Sequence, residues 1–111
     1  MIGAMTRRFR AYARSIDTWF YYEFGEDGRI NRQIELEGPD QVPTAAADLA
    51  EWNDAVISGS GKEYLAKFGA PGDATFDEIA DMNIPEPEDL TLEQFEEAWQ
   101  RARRLIQAGT T

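Results

Sequence analysis

Apolar and polar positions are most regularly arranged between Trp19 and Glu37, where the pattern predicts a β-hairpin. Trp19, Phe20, Tyr21, Tyr22 and Phe24 form an aromatic run of high strand propensity. Beyond it the chain alternates, with Ile30, Arg32, Ile34 and Leu36 on one face and Asn31, Gln33 and Glu35 on the other. Asp27-Gly28 between the two runs is the dipeptide of a two-residue type I′ turn. That loop sets Glu26 opposite Arg29, Glu23 opposite Arg32, Tyr21 opposite Ile34 and Trp19 opposite Leu36. Both charge pairs come out with opposite signs, which favours the register. Trp19, Tyr21, Glu23, Ile30, Arg32, Ile34 and Leu36 then form the expected core side. The other face carries Phe20, Tyr22 and Phe24, either covered by a further element or left as an aromatic strip for a partner.

Elsewhere the period is helical. Phe9, Tyr12, Ala13 and Ile16 favour a basic N-terminal arm or first helix over residues 1–17, with Met5 as a second candidate initiator. Gly38-Pro39-Asp40 ends the hairpin, and Thr44 is the expected N-cap of a helix over about 44–57 bearing Leu49, Trp52 and Val56. Short helices are expected over 62–68, stopped by Gly69, and over 76–82, opened by the capping box Thr75-Phe76-Asp77-Glu78. A second box, Thr91-Leu92-Glu93-Gln94, opens the last helix, 92–108, with Leu92, Phe95, Trp99, Ala102 and Ile106 in one stripe. Strand, turn, strand and then helices implies an α+β domain: an antiparallel sheet built on the 19–37 hairpin with helices packed on one face. Residues 18–111 read as a single acidic domain.

Charge changes this picture. The 111 residues carry a net charge of −10, yet residues 1–17 hold Arg7, Arg8, Arg10 and Arg14 against one acid, Asp17. From Asp73 to Glu97 there are ten acids and no base. Such a chain repels nucleic acid and anionic membranes and attracts a basic protein. No apolar run approaches a membrane span and the start has no signal-peptide core, so the cytoplasm is the expected compartment. Nine Arg against two Lys suggests a bacterial genome rich in GC.

Chemistry is sparse. The chain has no Cys and no His, which removes thiol catalysis, imidazole acid–base work and the common zinc ligands. Gly61-Lys62 resembles a phosphate-binding loop, but Val56 and Glu63 stand where that loop requires Gly and Ser/Thr. The acids lack the spacing of a calcium loop, and no pair stands out as the acid and base of a glycosidase. No cofactor, metal or catalytic residue is expected. Asp77, Glu78, Asp81, Glu86, Glu88 and Asp89, with Tyr22 and Phe24, are the candidate partner-binding residues. Arg32, Tyr21 and Trp52 are candidates for a small-molecule pocket between helix and sheet, Arg32 being otherwise a structural partner of Glu23.

The run RQIELEGPDQVPTAAADLAEW together with EQFEEAW resembles small uncharacterised bacterial proteins with an aromatic hairpin and a C-terminal Glu-Phe-Glu-x-x-Trp helix. The likeness covers residues 19–52 and 91–104 and carries no activity onto any residue. In general character the chain is similar to immunity proteins of bacterial toxin systems, an analogy of class rather than motif. The expected function is therefore non-enzymatic: an inhibitory partner of a basic protein such as a toxin. A small-molecule-binding accessory domain is the second expectation, a carboxylate-only enzyme the third. A homodimer through an exposed hairpin edge is also expected as a possible assembly.

Overall fold

The computed structural model describes residues 6–80 and 87–109. Candidate residues Asp81 and Glu86 lie outside them. Strands β1 (Arg7–Ala13), β2 (Thr18–Phe24), β3 (Ile30–Glu37) and β4 (Val42–Asp48) form an antiparallel meander, and the two-residue β5 (Glu88–Asp89) adds beside β1. The sheet order is β4-β3-β2-β1-β5. Helices α1 (Leu49–Ser58), α2 (Gly61–Phe68), α3 (Phe76–Ala80) and α4 (Leu92–Ala108) complete an α+β fold.

From Glu23 and Arg32 outward the hairpin register is the expected one, reached by a different route, but Arg29 pairs with Gly25 rather than Glu26. Glu23 lies opposite Arg32, Tyr21 opposite Ile34 and Trp19 opposite Leu36. The loop, however, is not a type I′ turn: Gly28 takes φ +78° while Asp27 stays at negative φ. Gly28 N–H donates to Gly25 C=O and Gly25 N–H to Arg29 C=O, the pattern of a three-residue loop closed by a left-handed glycine. A bulge between Glu23 and Phe24 then pairs Phe24 with Ile30 and skips Asn31. The two one-residue offsets cancel, so the register beyond Glu23 is unchanged. Ile30 alone moves to the other face, where it packs with Phe9, Phe24 and Ile79.

Two expectations along the chain are corrected. Arg7–Ala13 is strand β1, not an arm or helix, because Phe9 and Ala11 alternate with Arg8, Arg10 and Tyr12 and each set finds its face. Residues 44–48, expected to begin the helix, belong instead to strand β4, and α1 starts only after Asp48, whose side chain accepts the Glu51 N–H as N-cap in place of Thr44. Both edges of the hairpin are occupied, β1 flanking β2 and β4 flanking β3.

Helices cover both faces. Phe95 and Ala102 of α4, both fully buried, pack on Tyr21, Ile34, Leu36 and Ala46, with Trp99 and Ile106 alongside. Full burial of a side chain such as Phe95 contributes about 2–3 kcal/mol. Leu92, placed in the same stripe, is 50% exposed. On the opposite face α3 brings Phe76 and Ile79 onto Phe9, Phe24 and Ile30. The chain reaches that face across Gly69, where a Cβ would lie 3.0 Å from the Ala45 Cβ. Helices α1 and α2 stand beside β4, joined through Trp52, Tyr64 and Phe68.

Candidate functional site

The alternation in β1 sets Arg8 and Arg10 on the same face as Glu23, Tyr21 and Trp19 of β2. Arg8 Nε donates to Glu23 Oε2 at 2.8 Å, and Arg32 donates Nε to Oε1 at 2.7 Å and Nη2 to Oε2 at 2.8 Å. Glu23 is 5% exposed. Burial pushes its carboxyl up, but the hydrogen bonds from Arg32 and Arg8 outweigh burial and hold it below the usual range. Arg32 also donates to Glu96 of α4 and lies over the Phe95 ring at 4.9 Å and the Trp99 ring at 5.2 Å. Burial would lower the Arg32 pKa, yet the bonds to Glu23 and Glu96 raise it. This arginine is a structural tie between sheet and helix, and its fork is filled by carboxylates.

Arg10, one pair further along β1, faces a cleft. Its Nη1 donates to Tyr21 Oη at 3.0 Å, its Nε to Glu88 Oε2 at 2.7 Å, and its guanidinium lies 4.6 Å from the Trp19 ring centroid. The Tyr21 bond raises its pKa; burial opposes and the Glu88 bond adds. The cleft, about 340 Å³, runs between the β1–β5 edge and the first half of α4. Arg10, Tyr21, Glu88, Asp89, Leu90, Gln94, Glu97, Ala98 and Arg101 line it. A second hollow of about 290 Å³ lies at the hairpin loop, lined by Arg7, Phe24, Asp27, Phe76 and Asp77 among others.

Of the expected pocket residues, Tyr21 lines the cleft, Arg32 lies in the buried ion network, and Trp52 packs on Tyr64 with ring centroids 5.9 Å apart. The three do not form one pocket. Of the expected partner-binding residues, Phe24 is 1% exposed under Phe76 and is a core residue, because the segment after α2 folds onto it. Tyr22 is half-buried, and burial with some help from Glu35 pushes its hydroxyl up to about 12. Asp77 and Glu78 are exposed on α3; Glu78 accepts from the Thr75 N–H and hydroxyl in the expected capping box. Glu88 and Asp89 form β5.

Asp77 on α3, Asp89 on β5 and Glu93 and Glu97 at the start of α4 are all exposed, α3 lying on the sheet face opposite α4. None of these four enters an ion pair among the described residues. Arg8, Arg10, Arg32 and Arg103 make every described ion pair and Arg7 lies over Phe76 at 4.3 Å, whereas Arg14, Arg29, Arg101 and Arg104 are exposed and enter none of these pairs. Sequence reasoning missed Arg10, Gln94, Glu97 and Arg101 as cleft residues. The signal that could have found Arg10 is the period-two run Arg8-Phe9-Arg10-Ala11-Tyr12.

Fold and site together define an acidic antiparallel α+β domain with a buried arginine–carboxylate network beneath its long helix. Comparisons with protein-family models, curated proteins and solved structures find no match. Among the described residues no group of His, Cys, Asp or Glu could hold a metal ion, and no helix is long and apolar enough to cross a membrane.

Proposed function

We propose that this chain is a non-enzymatic binding protein that docks a basic protein, as an immunity-type or other inhibitory partner of a bacterial protein such as a toxin. The observation that supports it most is the excess of exposed acid: Asp77, Asp89, Glu93 and Glu97 are exposed and enter no ion pair among the described residues, while Arg8, Arg10, Arg32 and Arg103 are held in ion pairs within the fold. Unpaired surface carboxylates of one sign steer a cationic partner and raise its association rate. Glu78 and Glu88 are exposed as well but have structural duties, in the Thr75 cap and on Arg10.

The test is retention of a basic protein from host lysate by the immobilised chain, compared with an Asp77→Lys/Asp89→Lys/Glu93→Lys variant of equal thermal stability. The expected result is a stoichiometric basic protein, released by salt and absent from the variant. Equal retention by the variant removes this surface assignment. No basic protein at low salt removes the reading itself.

A further inference from the structure

We infer that the cleft beside Arg10 binds a free basic α-amino acid, a function separate from docking a protein partner. Three observations carry this. The first is the charge left over in the lining. Arg10 and Glu88 neutralise each other, with Nη2 to Oε2 at 2.6 Å. Arg101, Asp89 and Glu97 remain, one cation and two anions lining the same space. The complementary guest has one anion and two cations: an α-carboxylate, an α-ammonium and a cationic side chain.

The second is the donor set. Tyr21 is 7% exposed, and its hydroxyl accepts from Arg10, which leaves its own O–H to donate into the cleft it lines. Gln94 uses its Oε1 on the Thr91 N–H, so its amide N–H groups are the donors on that wall. Among the described residues Arg101 donates only to the Gln41 carbonyl, at 3.4 Å. These groups meet a carboxylate, whereas Asp89 and Glu97 meet ammonium or guanidinium.

The third is size and lining. A space of about 340 Å³ is at the small end for ligand sites, and Leu90 and Ala98 offer apolar contact for an aliphatic stem. A simple cation meets Arg101 unpaired, and a simple anion meets Asp89 and Glu97. Neither matches the lining as a basic amino acid does.

The experiment is a titration of the isotope-labelled full chain with L-arginine, followed by amide NMR shifts, with agmatine (no carboxylate) and L-norleucine (no side-chain cation) as controls. L-arginine is expected to shift the Leu90, Gln94 and Ala98 amides saturably. Each control should bind at least about tenfold more weakly, the weight of one charge-assisted contact. Glu97→Gln and Arg101→Gln should each weaken L-arginine about tenfold with an otherwise unchanged spectrum. No saturable shift at about 10 mM L-arginine, a free energy of under 3 kcal/mol, overturns the proposal. So does agmatine binding as well as L-arginine, which marks a cation site only, or shifts scattered over the acidic surface. The lysate variant changes Asp89, which also lines the cleft, but the titration uses the unmodified chain and the Glu97 and Arg101 variants, so either reading can fail alone.

Discussion

Glu23 and Arg32 face each other across β2 and β3 as a two-bonded ion pair, with Glu23 also held by Arg8. Their side chains are 6% and 14% exposed. A pair this deep is conditional: each charge is tolerable only because the other is present. Glu23→Gln leaves two arginines facing a neutral amide, and we expect a loss of about 3 kcal/mol. Glu23→Leu/Arg32→Leu should cost less than the sum of its single changes. Urea unfolding of the four proteins checks this, and additive losses would contradict it.

Acid should weaken the fold through the same group. The Glu23 carboxyl titrates below its unfolded value, and Glu51 does so too: burial raises it, but bonds from Arg103 and Tyr64 lower it further. The folded state therefore binds these protons less readily than the unfolded chain. Their stabilisation is complete above the ordinary carboxyl range near 4.5 and is lost as pH falls through the depressed folded values. Glu23→Gln should flatten part of that fall. A urea midpoint series from neutral to acid pH reads it directly.

Glu35 has the opposite sign. Half-buried beside Tyr22, its carboxyl is raised by burial, opposed by the Gln33 amide and aided by Glu37. Its charged form is disfavoured in the folded state, so Glu35→Gln should stabilise at neutral pH. After solvent screening of a half-exposed group, the gain is a few tenths of a kcal/mol. The gain should vanish in acid, where the native carboxyl is already neutral; a shift in urea midpoint at pH 7 only is the expected signature.

Phe24 and Phe95 anchor the two faces of the sheet. Truncating either to Ala should cost about 3–5 kcal/mol. Phe24→Ala should therefore lower the melting temperature rather than act selectively on partner binding. A variant with normal stability and lost binding would return Phe24 to the contact surface.

The outer edge of β4 is closed by side chains. Arg103 Nε donates to the Ala46 carbonyl at 2.9 Å, and Tyr64 Oη accepts the Asp48 N–H at 2.9 Å. Arg103 also lies 3.8 Å from the Phe68 ring centroid. Arg103→Ala should cost about 2 kcal/mol and open the edge to self-pairing. Sedimentation velocity over a concentration series should show dimer in the variant.

Much of the sheet was legible before any coordinates. The Glu23–Arg32 and Trp19–Leu36 pairings follow from alternation, because a buried face punishes a one-residue slip. The last helix follows from its cap and stripe. Strand β4 did not, since Pro43-Thr44-Ala45-Ala46-Ala47 has the composition of a helix start. Small residues are there because Ala46 meets Phe95 and Ala102 and Gly69 crosses Ala45, which no local rule contains. The cleft was hidden for a related reason. Arg10 and Glu88 are 78 positions apart, and only β5 brings them together.

The order of elements also has a consequence during synthesis. The meander of β1 to β4 is complete at Asp48, but the helix that covers Tyr21, Ile34 and Leu36 ends at Ala108, sixty residues later. At about 5–20 residues per second, the ribosome leaves that apolar face without its lid for roughly 3–12 s. A nascent chain stalled after β4 therefore presents its aromatic sheet to whatever chaperone waits at the exit tunnel.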